Sequence, residues 1–85
     1  MSDIPHIYST LKFKKTIKKL HPHQKQDLDN AAHALMGDPF LGESKKEDLT
    51  GVRVYTFQMH QQLTFLAYSY DGTPLTLTLL ALNFL

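Results

Sequence analysis

The chain has 85 residues, of which 42% are hydrophobic and 20% charged, with nine Lys and Arg against eight Asp and Glu. This composition is typical of a folded globular protein and argues against intrinsic disorder, and the length predicts one domain spanning residues 1–85. The sequence has no cysteine, which excludes disulfides and thiolate metal sites.

The two ends of the sequence lack targeting signals. The first residues contain no apolar core of the signal-peptide type, and the apolar run at the end is about half the length that a membrane-spanning helix needs. We therefore expect a cytoplasmic protein with no membrane association.

The first predicted elements are a strand at residues 4–9 and a basic amphipathic helix. Phe13, Ile17 and Leu20 recur at i, i+4 and i+7 and form one apolar stripe. The opposite arc carries five lysines with no acid among them: Lys12, Lys14, Lys15, Lys18 and Lys19. Such a run predicts either a salt-sensitive site for an anionic partner or a solvated helix face, and Leu11 within the arc favours a partner.

A second helix is predicted after His21-Pro22, because proline suits the first turn of a helix but not its interior. It ends at Gly37, before Asp38-Pro39. Its apolar side carries Leu28, Ala31, Ala32 and Leu35. The two helices form a hairpin that has to pack on another element.

The second half of the chain predicts strands. After a polar loop at residues 41–51, the hydrophobic period becomes two over residues 52–59, 63–70 and 75–82, and Asp71-Gly72 is a strong hairpin signal. The expected fold class is α+β, with the N-terminal strand and helical hairpin packed on a twisted antiparallel β-sheet of three to four strands. Leu and Thr alternate in the last strand before the run becomes continuously apolar, which predicts an end covered on both faces.

The histidines do not predict a metal site. His21 and His23 are close in sequence, but His6, His33 and His60 fall on a predicted strand, helix and turn with no recurring spacing. The sequence also has no serine or cysteine nucleophile motif and no phosphate-binding glycine loop. We expect neither a metal nor a cofactor.

The order of elements, together with Asp-Leu-Thr-Gly-Val-Arg-Val-Tyr at residues 48–55 and Leu-Ala-Tyr-Ser-Tyr-Asp at 66–71, resembles the RelE/ParE superfamily of bacterial toxins from type II toxin–antitoxin modules. The resemblance runs from about residue 9 to residue 82. It implies a small toxin held inactive by an antitoxin encoded beside it. Members of the superfamily either cleave messenger RNA at the ribosome or poison DNA gyrase.

The chain departs from the ribonuclease members of that superfamily. Close relatives often read Val-Tyr-Lys-Phe-Lys where this chain has Val-Tyr-Thr-Phe-Gln at 54–58, so two same-face lysines are missing. The arginine that ribosome-dependent members place on the middle strand falls near Phe65. Longer relatives continue into a tail with histidine, tyrosine or basic groups, and here the chain is expected to have a shortened C-terminus. These departures predict a weakened or inactive toxin.

Three residues are candidates for catalysis: Arg53, Tyr55 and Tyr68. RNA cleavage of this kind needs a proton acceptor for the 2′-hydroxyl, a cation over the phosphate and a proton donor for the leaving oxygen. Strand alternation puts Arg53 and Tyr55 on one face, which makes a fragment of a phosphate site. The competing interpretation, which we favour, is that Arg53 caps a surface ladder and Tyr55 packs in the core with its hydroxyl at the solvent.

Two functional classes remain from the sequence. One is a ribosome-dependent messenger RNA endonuclease whose site the ribosome completes, and the other acts only by binding, as a DNA gyrase inhibitor or as a weakened toxin that still engages its antitoxin. Few basic residues lie on the strands at 52–59 and 63–70, and this favours binding.

The apolar last strand is the candidate antitoxin site, because an uncovered edge or face invites an added strand or helix. Its candidate residues are Leu77, Leu79, Leu80, Leu82 and Phe84. An open apolar patch also favours self-association, so we expect homodimers or aggregates when the antitoxin is absent.

Overall fold

The computed structural model describes residues 6–44, 51–72 and 76–84, which form two helices and a five-stranded sheet. The predicted α+β class is confirmed. In chain order the elements are β1 (His6–Ser9), α1 (Leu11–Lys18), α2 (Pro22–Gly37), β2 (Glu43–Ser44), β3 (Arg53–Met59), β4 (Gln62–Asp71) and β5 (Thr76–Phe84).

The sheet has the strand order β1-β5-β4-β3-β2 and is mixed rather than purely antiparallel. The pairs β2–β3, β3–β4 and β4–β5 are antiparallel, whereas β1 lies parallel to β5 with Ile7 opposite Leu77. Parallel neighbours need a long crossover, and here the chain passes through both helices and three strands between them. Compared with the predicted three to four antiparallel strands, the structure adds the short β2 and reverses the expected orientation of β1.

The helices begin and end close to the predicted positions, because their end signals are local. The hydroxyl of Thr10 accepts the backbone N–H of Phe13 at 3.2 Å and donates to the carbonyl of Leu80 at 3.3 Å, so it caps α1 and fixes that helix to β5. At the start of α2, the side-chain oxygen of Gln24 accepts the backbone N–H of His21 at 2.8 Å.

The core lies between the helical layer and one face of the sheet. From the helical layer it takes Phe13, Leu28 and Leu35 with Leu20 from the connection between the helices, and from the sheet Met59, Leu66, Tyr68, Leu77, Leu79 and Leu82. The predicted apolar stripes of both helices therefore face the sheet.

A β-bulge explains the continuous apolar run in β5. Tyr68 is opposite Leu79, but its neighbour Ala67 is opposite Ala81, so Leu80 is an extra residue that shifts the alternation. After the shift, Leu82 rather than its neighbours points into the core. The run is apolar because the bulge changes which residues of the strand point into the core. The expectation that the end of the strand is covered on both faces was wrong, because Asn83 and Phe84 are exposed.

The turn predicted at His60 lies between β3 and β4, but its residue types do not indicate its conformation. His60 and Gln61 both have positive φ, 49° and 70°, the conformation that two-residue hairpins adopt and that Asn-Gly usually supplies. The backbone N–H of His60 donates to Oδ2 of Asp27 at 2.8 Å, and its ring stacks on that of His23 with centroids 5.2 Å apart. Contacts with α2 thus hold the turn.

Candidate functional site

Arg53 and Tyr68 face each other on neighbouring strands and together hold the segment 38–42 that follows α2. The Tyr68 hydroxyl donates to the carbonyl of Pro39 at 2.5 Å and accepts the N–H of Gly42 at 3.0 Å. Arg53 donates from Nε to the carbonyl of Gly42 at 2.9 Å and from Nη2 to the carbonyl of Phe40 at 3.4 Å. We call these five residues the Arg53–Tyr68 junction.

Glycine is required at position 42 of this junction. A Cβ atom there would lie 2.6 Å from the Tyr68 hydroxyl and 2.7 Å from its ring, closer than real Cβ contacts come. The backbone therefore approaches the tyrosine as closely as it does only because residue 42 has no side chain. The guanidinium of Arg53 also lies 5.2 Å from the ring centre of Phe40, which adds a cation–π contact to the same segment.

The electrostatics of the junction favour the neutral phenol of Tyr68. Burial raises the pKa of this phenol above its usual value of 10.0, although the Gly42 N–H and the nearby Arg53 charge oppose the shift. A phenol in this state is a hydrogen-bonding group rather than a base.

Tyr55 shares a strand face with Arg53, in keeping with alternation, but it has different neighbours. Its ring stacks on Phe57 with centroids 5.8 Å apart and an interplanar angle of 15°, and it packs against the edge of the core. Both rings line a shallow cleft between β3 and α2. The cleft has a volume of about 240 Å³, and its other lining residues are Asp27, Asn30, Ala31 and Gln58.

The three candidate catalytic residues do not converge on an open reaction site in this structure. A general acid or base has to reach its substrate directly or through one water. Tyr68 is fully buried and its hydroxyl already has a donor and an acceptor, while Arg53 is bonded to two backbone carbonyls. Their catalytic roles stay predictions, and the observed contacts of Arg53 and Tyr68 connect the loop to the sheet.

The lysines of α1 lie on the surface. All five side chains are exposed, and Leu11 beside them is 77% exposed. A second cleft, of about 230 Å³, lies next to this helix between β1, α1 and α2, and we call it the α1 cleft. Its lining residues are Ile7, Ile17, Lys25, Leu28, Asp29, Ala32 and Leu79.

The candidate antitoxin residues of β5 are mostly enclosed. Leu77, Leu79 and Leu82 are buried in the core, Leu80 at the bulge is half-buried, and Phe84 is 41% exposed. Binding by these residues stays a prediction. Leu79 lines the α1 cleft, and Leu80 and Phe84 keep part of their surface accessible.

Sequence reasoning missed the residues that come together over long separations. Asp27 and His60 are 33 positions apart, and Gly42 and Tyr68 are 26 apart, so no local pattern links them. The positive φ of the turn and the proximity of Asp27 to Tyr55 likewise depend on how α2 lies on β3. The only local signal was the alternation that places Tyr55 and Phe57 on one face.

Within the described residues, no three His, Asp or Glu side chains come together as a metal site would require. In the same part of the chain, neither helix is long and apolar enough to cross a membrane.

Comparison with known proteins identifies the family. A family model described as the ParE-like toxin of type II bacterial toxin–antitoxin systems matches residues 7–84, from β1 to the end of β5. No curated protein and no solved structure matches the chain significantly. The match confirms the resemblance to the RelE/ParE superfamily, and membership implies an antitoxin partner. Since it covers nearly the whole chain, this protein belongs to the ParE-like toxins of type II bacterial toxin–antitoxin systems.

Proposed function

We propose that this chain is a toxin that a cognate antitoxin neutralises, and that it acts by binding its cellular target rather than by cleaving RNA. The Arg53–Tyr68 junction is the observation that favours binding of a target over cleavage of RNA. Its arginine and its buried tyrosine hydroxyl both bond to the backbone of residues 39–42, which supports a role in holding this loop rather than in cleaving RNA.

A binding mode of action favours DNA gyrase over ribosome-bound messenger RNA as the target. Inhibition of gyrase requires a complementary surface but no nuclease site, and the exposed lysines of α1 offer such a surface for an acidic region. An endonuclease would need a proton acceptor and a proton donor around one phosphate. Tyr55 alone of the three candidates lines an open cleft, and the carboxylate of Asp27 lies in the same cleft, where it would repel a phosphate.

The α1 cleft and the lysines beside it are our proposed antitoxin site. Apolar side chains such as Ile7, Ile17 and Leu28 line the cleft, while the neighbouring helix carries four exposed lysines and Lys19 directly follows it. An amphipathic antitoxin segment with acidic residues on its polar side matches both features, because it would bury apolar side chains in the cleft and pair its charges with the lysines.

Induction in a bacterial host tests the mode of action. We expect growth arrest with loss of gyrase supercoiling and intact messenger RNA, and co-expression of the reading frame beside this gene should restore growth. Incorporation of labelled amino acid, RNA integrity and plasmid topology are followed together. Messenger RNA cut by purified chain in the presence of ribosomes, and left intact by a folded Tyr55→Phe variant, would contradict the proposal.

A further inference from the structure

Among the described residues, one edge of the sheet is unpaired over most of its length. The short β2 is opposite only Arg53 and Val54, and within the described part of the chain no strand lies beside residues 55–59 on that side. An open strand edge presents N–H and C=O groups in the plane of the sheet, where another extended segment can bond to them.

The register of the hairpin identifies which backbone groups face outward. The two-residue turn makes Met59 and Gln62 a hydrogen-bonded pair, and such pairs alternate along an antiparallel ladder. Phe57 and Tyr55 therefore bond inward to β4, whereas the N–H and C=O groups of Thr56 and Gln58 point away from the sheet.

The aromatic cleft between β3 and α2 lies along this same edge. Tyr55 and Phe57 are half-buried, so part of each ring remains accessible, and Asp27 and Asn30 of α2 form the opposite wall. An edge strand with a helix alongside it is the arrangement in which extended peptides bind by strand addition, with alternate side chains entering pockets. We call the edge and the cleft together the β3 groove.

The charge of the β3 groove specifies what would enter it. Asp27 is half-buried, and its Oδ2 accepts the His60 N–H, but no Lys or Arg of the described residues lies within ion-pair distance of it. A carboxylate beside two aromatic rings favours a cation. Arginine suits it better than lysine, because a planar guanidinium both stacks on rings and bonds to a carboxylate through two N–H groups.

We propose that the β3 groove binds an extended segment of the antitoxin that carries an arginine, which pairs with Asp27 and stacks on Tyr55 or Phe57. The segment adds a strand to the sheet through the outward groups of Thr56 and Gln58. The assignment of this segment to an antitoxin rests on the proposed function, whereas the preference of the groove for an arginine-bearing segment does not. The exposed lysines of α1 favour acidic residues instead, so the two sites select different parts of one partner.

The probe for this proposal is an acetylated seven-residue peptide of alternating Thr and Val with a central Arg, compared with the same peptide carrying Glu at the centre. Titration into the isotope-labelled protein should shift the amide signals of Thr56, Gln58 and Asn30 with the Arg peptide only. Equal shifts with both peptides, or shifts confined to α1, would overturn the proposal.

Two pairs of variants test the groove itself. Thr56→Pro removes one outward N–H, and Thr56→Ala keeps it. Asp27→Asn removes the charge while retaining an oxygen for the His60 N–H, and Asp71→Asn removes an exposed carboxylate at the opposite end of the sheet. We expect Thr56→Pro and Asp27→Asn to weaken peptide binding by about fivefold or more and the controls to leave it within about twofold. Unfolding midpoints establish that each variant is folded, and unchanged affinity in a folded Asp27→Asn protein would overturn the role of the carboxylate.

The outcomes separate this inference from the proposed function. If the neighbouring reading frame neutralises the toxin but neither Thr56→Pro nor Asp27→Asn weakens that complex, the β3 groove is not an antitoxin site and the function stands. If the peptide binds but no antitoxin neutralises the chain, the groove chemistry stands and its assignment to an antitoxin fails. Concentration-dependent broadening of Thr56 and Gln58 signals without peptide would indicate pairing between two copies of the chain and would overturn the proposed occupant.

Discussion

Arg53 and the five lysines of α1 are all cations that the sequence marks as candidates for an anionic ligand, and the structure places them in opposite environments. Arg53 is bonded to two backbone carbonyls of the chain itself, whereas the side chains of the five lysines are exposed. Part of the donor capacity of Arg53 is thus committed to the loop, and the lysines remain on the surface. Substitutions in the two regions should have opposite consequences for stability and for binding.

Substitutions of Tyr68 should change stability most. Replacement with Ala removes a fully buried ring and should lower the free energy of unfolding by about 3–5 kcal/mol, and Tyr68→Phe should lower it by about 1–3 kcal/mol because it leaves the Pro39 carbonyl and the Gly42 N–H without their partner. Urea denaturation measures both, with Tyr70→Phe as the control for loss of a hydroxyl. If Tyr68→Phe is as stable as the parent, the junction does not hold the loop.

Arg53→Ala should destabilise the protein less, by about 1–2 kcal/mol, because the side chain is half-buried and one of its two hydrogen bonds is long at 3.4 Å. Arg53→Lys keeps the charge but cannot reproduce the fork of donors, so it should restore less than half of the loss. The same denaturation experiment measures both variants. Full recovery with lysine would show that charge, rather than the geometry of the bonds, matters at this position.

The raised pKa of Tyr68 predicts a loss of stability in alkali. Because the folded protein holds this phenolic proton more tightly than the unfolded chain does, the contribution is complete below pH 10.0 and decreases as the pH rises through the folded-state pKa. Unfolding free energies of the parent and of Tyr68→Phe, measured between about pH 8 and pH 11, should therefore converge as the pH rises. A constant difference over that range would contradict the raised pKa.

The smallest effect on stability is expected on α1. Replacing Lys14, Lys15 and Lys18 together with Gln should change the free energy of unfolding by no more than about 0.5 kcal/mol, since exposed charges contribute little to folding. It should nevertheless weaken the antitoxin complex by about tenfold at low salt, with the difference disappearing in about 1 M salt.

The matched variant for this test replaces the same three lysines with Arg, which preserves the charge. Isothermal titration with the product of the neighbouring reading frame measures all three proteins. Equal affinity of the Gln and Arg variants at low salt would place the antitoxin site elsewhere and remove the contrast between α1 and the Arg53–Tyr68 junction.

Local patterns predicted the elements but not their environment. The spacing of Phe13 and Ile17 predicted α1, and Pro22 and Gly37 predicted the ends of α2. These signals are local because periodicity and helix-end preferences act within a few residues. A turn was predicted at His60, but its positive φ was not, since contacts with α2 rather than residue type support that conformation.

The family, the α+β class and the two amphipathic helices follow from residue order and hydrophobic spacing alone. The parallel pairing of β1 with β5, the burial of Tyr68 and the internal hydrogen bonds of Arg53 depend on tertiary packing. Whether a polar side chain is accessible depends on which distant backbone groups pack against it. The fold encloses Tyr68 with Gly42, 26 residues away, and leaves the lysines of α1 exposed.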